Sequence, residues 1–366
     1  MSSNAWRWAW WPCVRAHGKM PRKTTGGRNM STSNALFPGR ADTQAGTCHV
    51  VACLDRSEHA AGVVSHAFAI AQALEVPVTL LQVLEGQPAK EMRPDPIEWD
   101  LRRHEARRTL GKLAAAPEPS TTIAEIKLAE GATAEEICRF TCGQPDCLLV
   151  LGTQGENGAS QKGIGGTAHN VLERAPGSIL LVPIAASVAP APSYRRILVP
   201  VDGSTWAESV IPLAARLAKS AQAELILAHV VPTPELTETR PLEPRDLELQ
   251  RHVVERNEAT ARAYLDHVRT YVAAMGLTVR AISMRSEDVR AALAGLIRAE
   301  AADLVVLSAR GHGGRHHMDV PYGSVAAYLM THSPVPMLIV RPSVTAVEPM
   351  VLANVQNARL PAVGPV

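Results

Sequence analysis

Short apolar runs recur along the chain, and segments with apolar residues at helical spacing separate them. In the first half the runs are VVACL, VTLLQV, IAEIKL, CLLVLG and SILLVP. Because they are apolar without alternation, they predict parallel strands that are buried on both faces, with helices above and below the sheet. The pattern predicts an α/β fold in which a doubly wound (Rossmann-like) sheet of five parallel strands is flanked by helices.

This pattern occurs twice. Residues 49–85 and 196–232 each contain a β-branched run, an Asp-x-Ser turn, a helix-like segment and a second apolar run. Further along, DCLLVLGTQG (146–155) parallels DLVVLSARG (303–311). The second copy is longer because it contains a polar stretch broken by proline and then a long helix-like segment, RDLELQRHVVERNEATARAYLDHVRTYVAAMG. The chain therefore predicts two tandem domains, whose last strands (SILLVPI and VPMLIVRP) are edges suited to pair with each other.

The predicted domains cover residues 46–186 and 194–343, with a linker at 187–193 and a loose tail at 344–366. The first 45 residues are basic and hold four of the six tryptophans. They predict a disordered tail, or an upstream start codon with Met30 as the true first residue. Their composition also allows an organellar transit peptide.

Composition narrows the class of protein. The apolar fraction is 46% and the charged fraction 20%, which is typical of a soluble globular chain. The net charge of +2 argues against a nucleic-acid partner, and no uninterrupted apolar stretch is long enough to predict a membrane span. The six cysteines are unevenly placed, unlike a secreted disulfide scaffold. We expect a reduced, cytoplasmic protein.

The candidate chemistry lies where ligands bind in doubly wound sheets, beyond the carboxyl ends of the strands. Asp55 and Asp202 follow the first strand of each copy, and Val83 and Val230 lie near the end of the second. The fourth strand of the first copy leads into GTQGENGASQKGIGGT (152–167), with six glycines in sixteen residues. The helix that follows offers unpaired backbone N–H groups to an anion, and a carboxylate opposite can accept hydrogen bonds from a ribose or a base. Together these features predict a nucleotide site.

At these residues both copies resemble the universal stress protein family, whose nucleotide-binding branch carries Gly-x2-Gly-x9-Gly-(Ser/Thr) after the fourth strand. In the first copy Gly152 and Gly155 are followed, after ten residues, by Gly166 and Thr167. Taking Gly165 as the third glycine gives the spacing of nine but loses the hydroxyl residue after it. Thr167, like Ser324 in the second copy, is also predicted to cap the helix.

The second copy departs further from the family pattern. Ser308 stands where the first glycine is expected, Gly311 is the second glycine, and Gly323 comes after eleven intervening residues. A shifted alignment uses Gly314 instead as the second glycine. The remaining candidates in this copy are Ser324 and Val325 after the third glycine, and Pro200 and Val201, which complete a Pro-x-Asp that the first copy replaces with Cys53-Leu54-Asp55.

The resemblance implies a stress-response protein that binds ATP, with or without magnesium, as a nucleotide-dependent regulator. It also implies intramolecular pairing of the two domains, and a further homodimer is left open. Two alternatives remain at this point: an interaction scaffold without nucleotide, and a slow ATPase. No nucleophile elbow, P-loop or metal motif is present, so rapid turnover is not predicted.

Two other clusters have simpler interpretations. Cys138, Cys142 and Cys147 lie close together in the sequence, and packing as small apolar side chains is favoured over a redox-sensitive thiol. The segment that contains His312, His316 and His317 also carries arginines, and a polar or phosphate-facing loop is favoured over a metal site. The basic segment RRHEARR (102–108) predicts the solvated face of a helix that also carries Trp99.

Overall fold

The computed structural model describes residues 49–86, 95–115, 122, 124–142, 147–156, 163–187, 192–233, 243–312 and 321–341. The predicted tails at 1–45 and 344–366 lie outside the described residues, as do Gly314, His316 and His317. The described residues include the strands of both copies of the repeat.

The first copy alternates strands and helices as its sequence predicts. A four-residue helix follows its last strand and leads towards the second copy. The elements are β1 (His49–Leu54), α1 (Ala60–Leu74), β2 (Val78–Leu84), α2 (Pro96–Ala115), β3 (Ala124–Glu130), α3 (Thr133–Cys142), β4 (Cys147–Gly152), α4 (Gly166–Arg174), β5 (Ser178–Val182) and α5 (Ile184–Ser187).

The second copy repeats the order, with two local differences. Its first helix is divided in two, and Pro212 sits in the first turn of the second piece, where a missing backbone N–H is tolerated. The predicted long helix is present, and Glu243 and Asp246 form a capping box at its start. The elements are β6 (Arg196–Pro200), α6 (Thr205–Glu208), α7 (Ile211–Ala221), β7 (Glu224–Pro232), α8 (Pro244–Ala273), β8 (Val279–Ser286), α9 (Val289–Ala299), β9 (Leu304–Ser308), α10 (Ser324–His332) and β10 (Met337–Val340).

All ten strands form one sheet in the order β3-β2-β1-β4-β5-β10-β9-β6-β7-β8. Every neighbouring pair is parallel except β5 and β10, which join the two copies in antiparallel register with Leu180 opposite Leu338. The predicted pairing of the two last strands is thus confirmed. So is the α/β fold with a five-stranded parallel arrangement in each copy.

The burial of one outer strand, β3, differs from the prediction. The apolar run IAEIKL predicts a strand buried on both faces. This prediction is wrong for β3, which is an edge strand with mostly half-buried or exposed side chains. Glu125 and Lys127 form an ion pair of 2.7 Å on its exposed face, and Ile126 is 37% exposed. Charged side chains on an edge oppose pairing with another chain, so these residues protect the free side of the sheet.

Each face of the sheet has its own hydrophobic core, and both cores run through the two copies. One is formed with helices α1, α2, α7 and α8, which contribute Val63, Leu110, Leu217 and Leu265. The other is formed with α3, α4, α9 and α10. Strand β5 contributes Leu180 to the first core and β10 contributes Leu338, and both side chains are fully buried. The sheet and its packing are therefore continuous across the β5–β10 junction.

Buried polar contacts also join the copies. Nδ1 of His66 in α1 and the hydroxyl of Tyr194, just before β6, share a hydrogen bond of 2.7 Å in the interior. Burial lowers the pKa of His66, although a hydrogen bond with the Ala186 carbonyl partly opposes the shift. His66 is therefore held in its neutral form, in which a buried imidazole needs no charged partner.

One buried acid has no counterpart in the first copy. Glu208 in α6 is 6% exposed, and neither carboxyl oxygen has a hydrogen-bond partner at bonding distance among the described residues. The same place in α1 is occupied by the exposed Ala61. Burial raises the pKa of Glu208, and interactions with Tyr264 and His267 offset only part of the shift.

We expect this acid to make the protein less stable as the pH rises. Because the folded pKa is raised, the folded state holds the proton more tightly than the unfolded state, and this stabilisation is lost between the ordinary glutamate pKa and the raised one. Glu208→Gln should remove the loss, which is about 1.4 kcal/mol per pH unit crossed. Urea unfolding at a series of pH values measures it, with the exposed Glu248→Gln as control. Equal pH slopes in Glu208→Gln and the wild type would contradict the prediction.

Candidate functional site

Two pockets open at the carboxyl ends of the strands, one in each copy. They have volumes of about 450 and 530 Å³. In the first copy the chain moves from β1 to β2 on one side and β4 lies on the other, so the pocket sits where the connections diverge. The second pocket occupies the same place between β6 and β9. Both are large enough for a nucleotide-sized ligand.

The candidate residues within the described part of the chain all line these pockets. Gly314, which belongs to the shifted alignment, lies outside the described residues. The first pocket contains Asp55, Val83, Gly152, Gly155, Gly165, Gly166 and Thr167, and the second contains Pro200, Val201, Asp202, Val230, Ser308, Gly311, Gly323, Ser324 and Val325.

The carboxylate of Asp55 joins two loops in the first pocket. Its Oδ1 accepts hydrogen bonds from the backbone N–H (3.0 Å) and the hydroxyl (2.6 Å) of Ser57, which form a turn after β1. Its Oδ2 accepts a hydrogen bond of 2.9 Å from the backbone N–H of Glu156, in the glycine loop after β4. The aspartate thus fixes its own turn and ties the glycine loop to it.

Asp202 does the same in the second pocket. Oδ1 accepts from the backbone N–H (2.9 Å) and the hydroxyl (2.5 Å) of Ser204, and Oδ2 accepts from the backbone N–H of His312 (2.6 Å). We call the bond from Oδ2 to the loop N–H the loop latch, Asp55–Glu156 in the first copy and Asp202–His312 in the second. A shared element in two diverged copies indicates a common use.

The residue before each latch must be glycine because the aspartate carboxylate approaches it closely. A Cβ atom at Gly155 would lie 2.7 Å from Oδ2 of Asp55, and one at Gly311 would lie even closer to Oδ2 of Asp202. Neither position has a positive φ, so conformational strain is not the reason. Any side chain here would push the aspartate away and open the latch.

The start of the helix after each loop settles the alignment of the third glycine. Gly165 is the N-cap of α4 and Gly323 is the N-cap of α10, both with extended backbones. Their N–H groups donate equivalent bonds of 2.8 Å to the carbonyls of Thr153 and Ala309. Gly165, not Gly166, therefore corresponds to Gly323.

The predicted caps are wrong. Neither α4 nor α10 has a side-chain cap hydrogen bond, because Thr167 and Ser324 lie inside the first turn and a glycine occupies the cap position. Gly166 stands where the second copy has Ser324, and a Cβ atom there would meet nothing within 4 Å. The first copy thus offers only backbone at this point.

Free backbone amides face each pocket at the helix start. The first helical bond of α4 runs from the N–H of His169 to the carbonyl of Gly165 (2.9 Å), so the amides of Gly166, Thr167 and Ala168 precede the helical ladder. Together with the positive end of the helix dipole, they suit a phosphate group. In α10 the first such bond runs from Ala327 to Gly323.

Val83 and Val230, near the ends of β2 and β7, present backbone groups to the pockets. The N–H of Val201 donates to the carbonyl of Ala228 (2.8 Å), so this carbonyl of β7 faces β6. Backbone groups alternate sides along a strand, and those of Val230, two residues on, face the same way, past the end of β6 at Pro200. Such groups can bind the edge of a base.

The two pockets differ at their outer ends. The first is polar there, because Glu85 and Thr133 lie beside Trp99 and Arg102 of α2. The second is more apolar, with Val289 and Leu293 of α9 in the lining. The sequence predicts that Trp99 lies on the helix that carries RRHEARR, and it gives no prediction that this helix, α2, reaches the pocket.

Tyr322 of the second pocket also contacts the first copy. Its hydroxyl donates a hydrogen bond to the carbonyl of Leu172 near the end of α4. The Arg341 guanidinium donates to the same carbonyl and to that of Ala175. The carboxyl end of α4 is therefore held by groups from the second copy, while its amino end forms the first pocket.

The cysteines only partly match the packing interpretation. Cys138 and Cys147 are buried, whereas Cys142 is exposed. Cys53 lines the first pocket, and burial raises its pKa, which makes it a poor thiolate nucleophile. Within the described ranges, no group of three or more His, Cys, Asp or Glu side chains could hold a metal ion.

Comparison with known proteins identifies the family. The model described as "Universal stress protein family" matches residues 47–183 and 193–341. The chain belongs to the universal stress protein family. It is therefore a stress-response protein by family, with the two matches corresponding to the two copies of the repeat. No curated protein sequence matches at a significant level.

Solved structures share the fold of this universal stress protein. One is a universal stress protein from Archaeoglobus fulgidus DSM 4304, 18% identical with a TM-score of 0.58, over 82% of this chain and 98% of that one. Another, described as functionally unknown, is from Pseudomonas aeruginosa PAO1, 14% identical with a TM-score of 0.51, over 81% of this chain and 94% of that one. Among the described helices, none is both long and apolar enough to cross a membrane.

Proposed function

We propose that this universal stress protein binds ATP or a related adenine nucleotide in one or both of its pockets and acts as a nucleotide-dependent regulator in the cytoplasm. The observation that carries the proposal is the repeated site: in each copy a latched aspartate faces a glycine loop and the free amides of a helix start. Two copies that have diverged elsewhere keep this arrangement.

The proposed mode of binding follows from the groups that each pocket supplies. Phosphates lie on the amides that open α4 or α10, where the helix dipole favours negative charge. The base lies near Val83 or Val230, whose backbone is able to bind its edge. The aspartate lies between them, and its oxygens have further lone pairs for ribose hydroxyls. A magnesium ion is expected to arrive with the phosphates.

Regulation follows from the loop latch. The loop that receives the phosphates is tied to the aspartate that receives the ribose, so a nucleotide contacts both ends of the latch at once. Binding therefore changes the surface at the mouth of the pocket, and a partner that recognises this surface senses occupancy. No hydrolysis is required for this role.

The test is to denature the purified protein and identify any released nucleotide by mass. We expect one or two equivalents of an adenine nucleotide per chain. Nucleotide-free protein should be stabilised by ATP by about 2.7 kcal/mol for each occupied site at a hundredfold excess over Kd, and much less by adenosine, which lacks the phosphates. The double variant Asp55→Ala with Asp202→Ala serves as the matched control and should respond weakly to both.

The alternatives give different results in the same experiment. If no nucleotide is released and ATP produces no thermal shift, the proposal is wrong and the fold serves as a nucleotide-free scaffold. If ATP is turned over well above background and the double variant abolishes the turnover, the protein is an ATPase.

A further inference from the structure

The first pocket has a tryptophan in its lining that the second lacks. The aromatic residue in the lining of the second pocket, Tyr322, carries the Arg341 guanidinium over its ring, 5.1 Å from the centroid. Trp99, in the first turn of α2, lines the pocket beside Glu85 and Arg102. In the second copy the corresponding helix is α8, and none of the residues described as lining the second pocket comes from it. The difference is therefore a property of the first copy and not of the shared fold.

The indole ring is held in place by its edge. Nε1 of Trp99 donates a hydrogen bond of 3.1 Å to Oε2 of Glu130, at the end of β3. Arg103 donates to the other oxygen of the same carboxylate, from Nε at 2.7 Å. Partial burial raises the pKa of Glu130, but the hydrogen bonds from Arg103 and Trp99 outweigh it and lower the pKa overall, so the acceptor stays ionised.

This anchor ties the ring to β3, the strand that pairs with the backbone we assign to the base. Glu130 is the register partner of Leu84 in the β2–β3 pairing, and Leu84 follows Val83 directly. The N–H of Gly131 donates to the carbonyl of Leu84 (3.1 Å), which fixes the end of β3 against β2. These contacts thus link Trp99 through Glu130 to Leu84, the neighbour of Val83, and Trp99 and Val83 line the same pocket.

The indole ring can present its aromatic face to a ligand, whereas its N–H is already used. Its N–H is already bonded to Glu130, and the ring is only half-buried, whereas Ile97 and Leu101 on the same helix are 72% and 60% exposed. A half-buried indole face over a pocket is suited to stack on a planar heterocycle.

We infer that Trp99 stacks on the base of the nucleotide in the first pocket and determines that pocket's preference for purines. The inference rests on the proposed function and deepens it, because it predicts unequal sites. A purine presents a larger face to the indole than a pyrimidine does, so the first pocket should favour ATP over CTP more strongly than the second.

Titrations of nucleotide-free full-length protein test the inference. Trp99→Ala should weaken ATP binding at the first pocket about five- to one-hundredfold, the range expected for loss of one base–aromatic stack. Binding of inorganic tripolyphosphate, which has no base, should be unchanged. Trp206→Ala is the matched control, because Trp206 is also half-buried and is not among the residues that line the second pocket.

Tryptophan fluorescence gives an independent reading of the same contact. ATP should quench the wild type and Trp206→Phe, while Trp99→Phe should lose the quenching yet keep most of its affinity, since phenylalanine also stacks. If ATP binds with the expected stoichiometry but Trp99→Ala changes its affinity less than twofold, the inference is overturned and the proposed function stands. If ATP fails to bind the wild type, the proposed function itself fails. A loss of tripolyphosphate binding in Trp99→Ala would show a structural role and also overturn the inference.

Discussion

Asp202→Ala is expected to lower the affinity of the second pocket for ATP by about ten- to one-hundredfold. The change removes an acceptor that holds the Ser204 turn and latches the N–H of His312, and hydrogen bonds to a charged group contribute about 1.5–3 kcal/mol each. Part of this free energy is lost from ATP binding, because the glycine loop is no longer held in place for the phosphates. Calorimetric titration should show one weakened site and one unchanged site, the first pocket.

A second variant separates the latch from the carboxylate's other roles. In Asp202→Asn one of the two side-chain atoms becomes a donor, so the residue keeps either the Ser204 turn or the latch, but not both. Its affinity should fall nearly as far as that of Asp202→Ala. Asp266→Ala, on the exposed surface of α8, is the control. Wild-type affinity in both Asp202 variants would contradict the site assignment.

Leu180→Ala is expected to destabilise the whole protein by about 2–5 kcal/mol. Leu180 is fully buried in β5 and lies opposite Leu338 in β10, so the cavity forms in the junction between the copies. Because one core runs across that junction, both copies should unfold together in a single transition at a lower denaturant concentration.

The measurement is urea unfolding followed by circular dichroism. Leu249→Ala, at a side chain that is 60% exposed in α8, should change the free energy of unfolding by less than about 0.5 kcal/mol. Two separate transitions in Leu180→Ala would show that the copies fold independently, contrary to the continuous core.

Sequence reasoning was strongest where a local pattern determines local structure. The apolar runs and the repeat predicted the strands, the order of the elements and the pairing of β5 with β10. The same repeat predicted that Asp55 and Asp202 would lie across from the glycine loops, because strand ends in a parallel sheet meet at one edge. For β3 the neighbours of the strand matter, and a sequence does not show which strand becomes an edge.

The features that sequence reasoning missed depend on contacts between distant segments. The latch donors are backbone N–H groups at Glu156 and His312, and any residue except proline could supply them, so the sequence carries almost no signal for them. The glycines that precede them do carry a sequence signal, but it indicates only that a side chain would not fit there. Trp99 reaches the pocket because Glu130, at the end of another strand, holds its indole.

The junction of β5 with β10 has a consequence for how the protein behaves at different concentrations. When two separate chains associate through such edges, the paired form is lost on dilution, since its population depends on how much protein is present. Here the partner strand belongs to the same polypeptide, so the paired state is unimolecular and its effective concentration is set by the linker. The two pockets therefore stay in one folded body at any protein concentration.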